Sequence, residues 1–241
     1  MTDPLAPLLD LPGVAAAVEA ARDAVAEVHR HPANRRGWPT TAAEASVRAA
    51  RASAALDGGT VEIPSDGSVS DPVLAGSLRV AEAIGPLLAT WQKAPLQALA
   101  RLHVLAAADL VSPSDLGRPS SSGSRLELLA SLVAGGTKAP GPVLVAVVHG
   151  ELLSLAPFGP VSGLIARAAA RLTMIGTGLD TKGLAVPEVA YLRRAAEYRS
   201  ALEGFSSGTP EGVAGWLLFT CSALEAGASE ARSIADAVGQ G

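Results

Sequence analysis

The 241 residues carry 19 basic and 23 acidic side chains, a net charge of −4 with no long run of either sign. That excludes the clustered Lys/Arg footprint of a nucleic-acid-binding surface. Hydrophobic residues make up 49% and aromatics only 3%, so Ala, Leu and Val must build the core. Because Ala and Leu are strong helix formers and β-branched runs are scarce, an all-α fold is expected.

Asp10 and Pro12 open a first predicted helix that runs to about His31. His29 and His31 close it as solvated cations at a helix C-terminus; a shared metal is disfavoured, because i and i+2 do not share a helix face. Residues 32–39 read as a connector. Thr41 and Glu44 have the spacing of a capping box for a helix to Leu56, which stops at Asp57-Gly58-Gly59. A polar loop over 59–70 precedes another cap-plus-Pro start at Asp71-Pro72. That helix runs to about Trp91, and a further one opens at Pro95 with His103 among its apolar positions.

Residues 112–124 lack hydrophobic periodicity and are rich in Ser and Gly, which predicts a mobile loop. A short hairpin there is the only β-structure allowed for. Five helices then follow, at about 125–134, 143–155, 162–175, 187–203 and 210–238. The most apolar stretch, 142–158, is too short for a membrane span and contains His149 and Glu151. The N-terminus has Asp3 and no basic region of a secretory signal, and the single cysteine, Cys221, excludes an internal disulfide. A cytoplasmic protein is expected. The mean hydropathy of +0.31 suits an apolar patch covered by a protein partner or by a second copy in a homodimer, with no nucleic acid and no membrane involved.

The stretch from His149 to Arg171 organises the rest. Pro157 and Pro160 end one helix near Ala156, and the next starts at about Ser162. A tight turn feeding a helix N-terminus leaves free N–H groups, so Ser162 and Gly163, with Arg167 one turn on, are candidates for holding an anion such as phosphate. Glu151 has no assignable direction, and His149 reads as core packing because it lies about 10 Å before Ala156 along the helix.

Ala156 to Arg167, APFGPVSGLIAR, resembles the signature HPFxxGNGRxxR of the Fic (Fido) family, with Pro157, Phe158, Gly163 and Arg167 matching. Upstream, Ala52 to Gly59 resembles the family's inhibitory motif S/TxxxE/DG, with Ser53, Asp57 and Gly58 at its defining positions. The helix from Leu99 and the segment Gly117 to Pro119 resemble the approach to the family's flap. The resemblance covers about Trp38 to Glu230. It implies a Fic-like helical domain over 38–241, an inhibitory-type helix at about 40–58, and an N-terminal helix and connector over 1–37.

The family's activity is transfer of a nucleotide monophosphate, usually AMP from ATP, to a protein hydroxyl. The resemblance puts Ala156 at the catalytic His, Pro160 at the Mg²⁺-holding carboxylate, Ser162 at the phosphate-contacting Asn and Leu164 at the first Arg. No catalytic residue and no metal ligand are therefore expected, and any ATP or ADP would bind weakly. Asp57 is either an inhibitory carboxylate for Arg167 or merely a helix stop. The resemblance thus implies a degenerate Fic-domain protein, acting through a protein partner or weak nucleotide binding. The alternative is an active nucleotidyl- or phosphotransferase using non-standard residues.

Overall fold

A computed structural model describes residues 3–120 and 123–239. Eleven α-helices occur among them, with no strand, so the all-α expectation holds and no hairpin forms in the described part of 112–124. A short 3-10 turn, Ala6–Asp10, precedes α1 (Val14–Arg30) and the single turn α2 (Ala33–Arg36). Then come α3 (Trp38–Leu56), α4 (Pro72–Lys93), α5 (Pro95–Ala107) and α6 (Ser124–Ser131), the last running into a π-turn at Leu132–Gly136. The second half holds α7 (Gly141–Leu155), α8 (Ser162–Gly176), α9 (Pro187–Arg193), α10 (Ala195–Ser206) and α11 (Pro210–Gly239).

The centre is the α7–α8 hairpin. Every residue from Pro142 to Gly150 is buried, because α7 has no polar face to give to water, and nearly all of α8 is buried too, its Arg167 and Arg171 included. Helices α4 and α5 cover one flank, α10 and α11 the other, and α3 with α9 crosses the open side of α8. Gly76 lets α4 lie directly on the carbonyl of Ala106 in α5, where a Cβ would collide with backbone. Helix α4 has the length and apolarity of a membrane span, yet it is packed between α3, α5 and α8. Helix α1 joins the same hydrophobic core through Val14, Val18, Ala21, Val25 and Val28, laid along α11.

Several local expectations need correction. Asp10 and Pro12 do not start α1: Asp10 ends the preceding 3-10 turn, and the cap position is Gly13 with φ 76°. Thr41 and Glu44 form no capping box, because the helix already starts at Trp38, with Pro39 in its first turn. Thr41 instead donates from within the helix to buried Asn34 Oδ1 at 2.6 Å, and Glu44 pairs with Arg48. The segment at 187–203 is two helices broken at Arg194. Asp71 does cap α4, accepting the Leu74 N–H at 2.7 Å.

His29 is not a solvated helix end either. Its Nε2 lies 2.8 Å from Asp180, a carboxylate with no exposed surface that also accepts the Ala185 N–H at 2.8 Å. His31 pairs with Asp236 of α11 at 3.1 Å. Both contacts cross between elements far apart in sequence, which the local pattern of α1 could not reveal.

Candidate functional site

Helix α7 ends where Ala156 turns left-handed, φ 42° and ψ 49°. Ala156 is the only non-glycine residue with positive φ among the described residues, and its side chain is exposed. Pro157 and Phe158 then fold inward and are buried, while Gly159 and Pro160 stay outside. The Phe158 N–H donates to Ser162 Oγ at 2.9 Å, closing a turn that feeds α8. The Ser162 hydroxyl therefore points back into the turn and is not a cap aimed at a ligand. Leu164 lies in the core with 2% of its surface exposed.

The end of α3 meets this turn. Asp57 is its C-cap, Gly58 follows with φ 85°, and the N–H groups of Gly58 and Gly59 return to Ala55 and Ala54 carbonyls at 3.2 and 2.8 Å. That is the left-handed stop that glycine makes easy at a helix end. It also aims the Asp57 carboxylate at α8. Oδ2 lies 2.8 Å from Arg167 Nη2 as an ion pair, with the N–H not directed along the contact. Arg167 is only 3% exposed, and Nε donates to Ser53 Oγ at 2.7 Å while Nη2 donates to the Ser53 carbonyl at 3.1 Å. Asp57 thus stops the helix, and its carboxylate reaches Arg167.

Gly163 makes the contact possible. A Cβ there would stand 2.6 Å from Asp57 Oδ1 and 3.1 Å from Arg167 Nη1. The carboxylate thus lies against the first turn of α8, where the partial positive charge of the helix end favours a negative group. Burial opposes the charge on Arg167, but Tyr198 and Asp57 more than offset it and keep the guanidinium protonated.

His149 packs as expected. It is fully buried among Tyr191, Tyr198 and Trp216, with Nε2 2.7 Å from the Tyr198 hydroxyl. Burial, and then the nearby Arg167 charge, pushes its pKa well below the usual histidine value. Burial also raises Tyr198 to about 12. Glu151 faces α6, where both its oxygens bind Arg125 at 2.8 and 3.1 Å. His103 accepts the Gly117 N–H at Nδ1, 3.1 Å away, and its ring lies 4.9 Å from that of Phe158.

The sequence reading missed Arg171. One turn beyond Arg167, it is 7% exposed and forks onto Glu188 at 3.2 and 2.9 Å, with further bonds to the Gly183 and Ala185 carbonyls. The i+4 spacing from Arg167 was the available signal. Between the two arginines a cavity of about 30 Å³ is bordered by Ser53, Ser77 and Glu188, room for one or two waters.

Among the described residues no group of three or more His, Cys, Asp or Glu converges as a metal site. A magnesium ion held by a carboxylate at this turn does not fit the residues present. Pro160 offers no donor, and the nearest carboxylate, Asp57, is committed to Arg167.

No family model matches the chain, and no curated protein matches it. Among solved structures it is similar to a Fic family protein from Desulfovibrio desulfuricans G20, with a TM-score of 0.66 and 21% identity over 92% of this chain and 74% of that one. It is also similar to Fic-1 from C. elegans, with a TM-score of 0.66 and 15% identity over 92% of this chain and 71% of that one. The chain has a Fic-like all-helical fold.

Proposed function

We propose that this chain is a degenerate Fic-type protein of the cytoplasm, without transferase activity, that acts through a protein partner or by binding ATP or ADP weakly. One observation carries this reading. At the head of α8 the chain's own Asp57 sits over Gly163 and Arg167, and the side chain projecting from the turn is Ala156.

The chemistry supports it. Transfer of a nucleotidyl group to a hydroxyl needs a base at the reacting oxygen, and an alanine methyl neither takes nor gives a proton. His149 is no substitute, since it is enclosed by aromatic rings and already bonded to Tyr198. Losing a general base alone costs roughly 10² to 10⁴ in rate. Losing a metal and one guanidinium at the phosphates removes further transition-state stabilisation. What the turn retains is shape, anchored by Pro157 and Phe158, together with one buried cation.

The direct assay is incubation of radiolabelled ATP and a divalent cation with the wild-type protein and with Asp57→Ala. No covalent label above background is expected in either. Label that disappears when the protein is denatured beforehand would instead establish an active enzyme with non-standard residues. Sedimentation of the purified chain separates a homodimer from a monomer awaiting another protein.

A further inference from the structure

The segment Ser112–Ser120 is tied to the rest of the described chain by hydrogen bonds at two places only. The Gly117 N–H donates to His103 Nδ1 at 3.1 Å. The Ser120 N–H and hydroxyl both donate to the Pro157 carbonyl, at 2.7 and 3.0 Å. The other bonds of this segment are internal, such as Ser112 Oγ to Asp115 at 2.7 Å. Because His103 also packs its ring on Phe158, one side chain touches both the segment and the turn that the segment covers.

We propose that His103 is a pH-sensitive latch: protonation at Nδ1 breaks the bond from Gly117 and loosens Ser112–Ser120 over the turn at Pro157, leaving Ser120 as its one hydrogen-bonded tie. The reasoning is local. Nδ1 can accept from Gly117 only when the ring is neutral with its proton on Nε2. A second proton puts two N–H groups face to face, and the Gly117 N–H loses its partner. The segment is then held by the two bonds from Ser120 to the Pro157 carbonyl, beside Leu116, which is only partly buried.

The charged groups around His103 leave its titration to burial. Arg101 on α5 itself, Asp115 and Arg118 on the segment, and Arg125 and Glu127 on α6 are all exposed. On α4, Arg79 is paired with Asp109; on α8, Arg167 and Arg171 are committed to Asp57 and Glu188. Burial lowers the His103 pKa below its ordinary value of 6.5. The neutral, latched form therefore holds at neutral pH and gives way on the acid side, as pH falls through that lowered value.

The test follows the Gly117 and Ser120 amides by NMR hydrogen exchange, expressed as protection factors to remove the intrinsic pH effect, at about pH 7.5 and at a pH about one unit below the midpoint shown by the His103 ring protons themselves. Protection of both amides should fall about tenfold or more at the lower pH, while amides inside α7 and α8 keep theirs. In His103→Asn the carboxamide oxygen accepts at either pH, so the protection should persist. Unchanged protection in the wild type overturns the latch, as does a pH response that survives in His103→Asn. Should that variant not fold, the wild-type protein decides alone. The His103 ring protons and the Gly117 and Ser120 amides must then titrate with one midpoint, and separate midpoints reject the proposal.

Discussion

Asp57 Oδ2 stands 2.8 Å from Arg167 Nη2, and the other oxygen of the same carboxylate occupies the space that a side chain at Gly163 would need. The three residues are therefore one steric and electrostatic unit, although two lie on α8 and the third ends α3 more than 100 positions earlier. That unit can be tested without any ligand.

Gly163→Ala is expected to destabilise the wild-type protein by about 1–3 kcal/mol, the usual range for an atom forced into a packed site. In an Asp57→Ala background the same change should cost much less, since the displaced oxygens are gone. Urea unfolding of the four proteins gives the coupling. Equal costs in both backgrounds would mean that the carboxylate does not lie where it is described.

Arg171 and Glu188 form a forked pair in which both side chains are buried. Glu188→Ala leaves a guanidinium buried with only the Gly183 and Ala185 carbonyls as partners, and should cost about 3–5 kcal/mol. Glu44→Ala, which removes a half-exposed partner of Arg48, should cost no more than about 1 kcal/mol. Thermal melts of both variants check the contrast; similar losses would show that burial at Glu188 does not govern the energy.

Much of this architecture was legible because it is written in local patterns. The stop at Asp57-Gly58-Gly59, the cap at Asp71 and the double-proline turn after Leu155 each depend on neighbours in sequence. The helix starts at Val14 and Trp38 were misplaced because Asp10 and Thr41 carry the chemistry of caps but are used otherwise. Thr41 turns to Asn34, a partner that no periodicity announces. The candidate site was legible only in part. Asp57 was visible as a helix end or as an inhibitory carboxylate, but its contact with Arg167 depends on α3 crossing α8. His29 on Asp180 and Arg171 on Glu188 are likewise products of tertiary packing, which gives charged residues buried partners that a single helical face does not suggest.

Ala156 holds a left-handed conformation with an exposed methyl. For an L residue with a Cβ that geometry costs about 1–2 kcal/mol. Ala156→Gly removes the strain at the expense of a more flexible unfolded chain, and should be neutral or stabilising by up to about 1 kcal/mol. Ala156→Val, with a branched Cβ, should destabilise. Chemical denaturation orders the three proteins, and a clear loss of stability in the glycine variant would contradict the turn.

His149 sets an acid limb to the stability. Its folded-state pKa is depressed by burial and by Arg167, so its contribution is fully present above about pH 6.5 and is lost as pH falls through the folded value. The slope there approaches about 1.4 kcal/mol per pH unit. His149→Gln keeps a partner for the Tyr198 hydroxyl and does not titrate, so its stability should depend less on pH below 6.5, with His103 supplying a remaining part. Melting temperatures across the acid range check this; parallel curves for the two proteins would remove His149 as the cause.

Nucleotide affinity is the sharpest consequence of the proposed function. An incoming phosphate at the head of α8 competes with the Asp57 carboxylate for Arg167, and the turn supplies neither a metal ligand nor a second guanidinium. Wild-type protein should therefore bind ATP or ADP only in the high micromolar to millimolar range, about −4 to −6 kcal/mol. Asp57→Ala clears the competing charge and should tighten binding. Arg167→Ala removes the cation and should abolish it, with circular dichroism confirming that the variant remains folded. Titration calorimetry on the three proteins separates the possibilities. Affinity that rises in Asp57→Ala and vanishes in Arg167→Ala places the anion at this turn. Tight binding indifferent to Arg167 would put the nucleotide elsewhere and leave the α7–α8 turn as a structural corner.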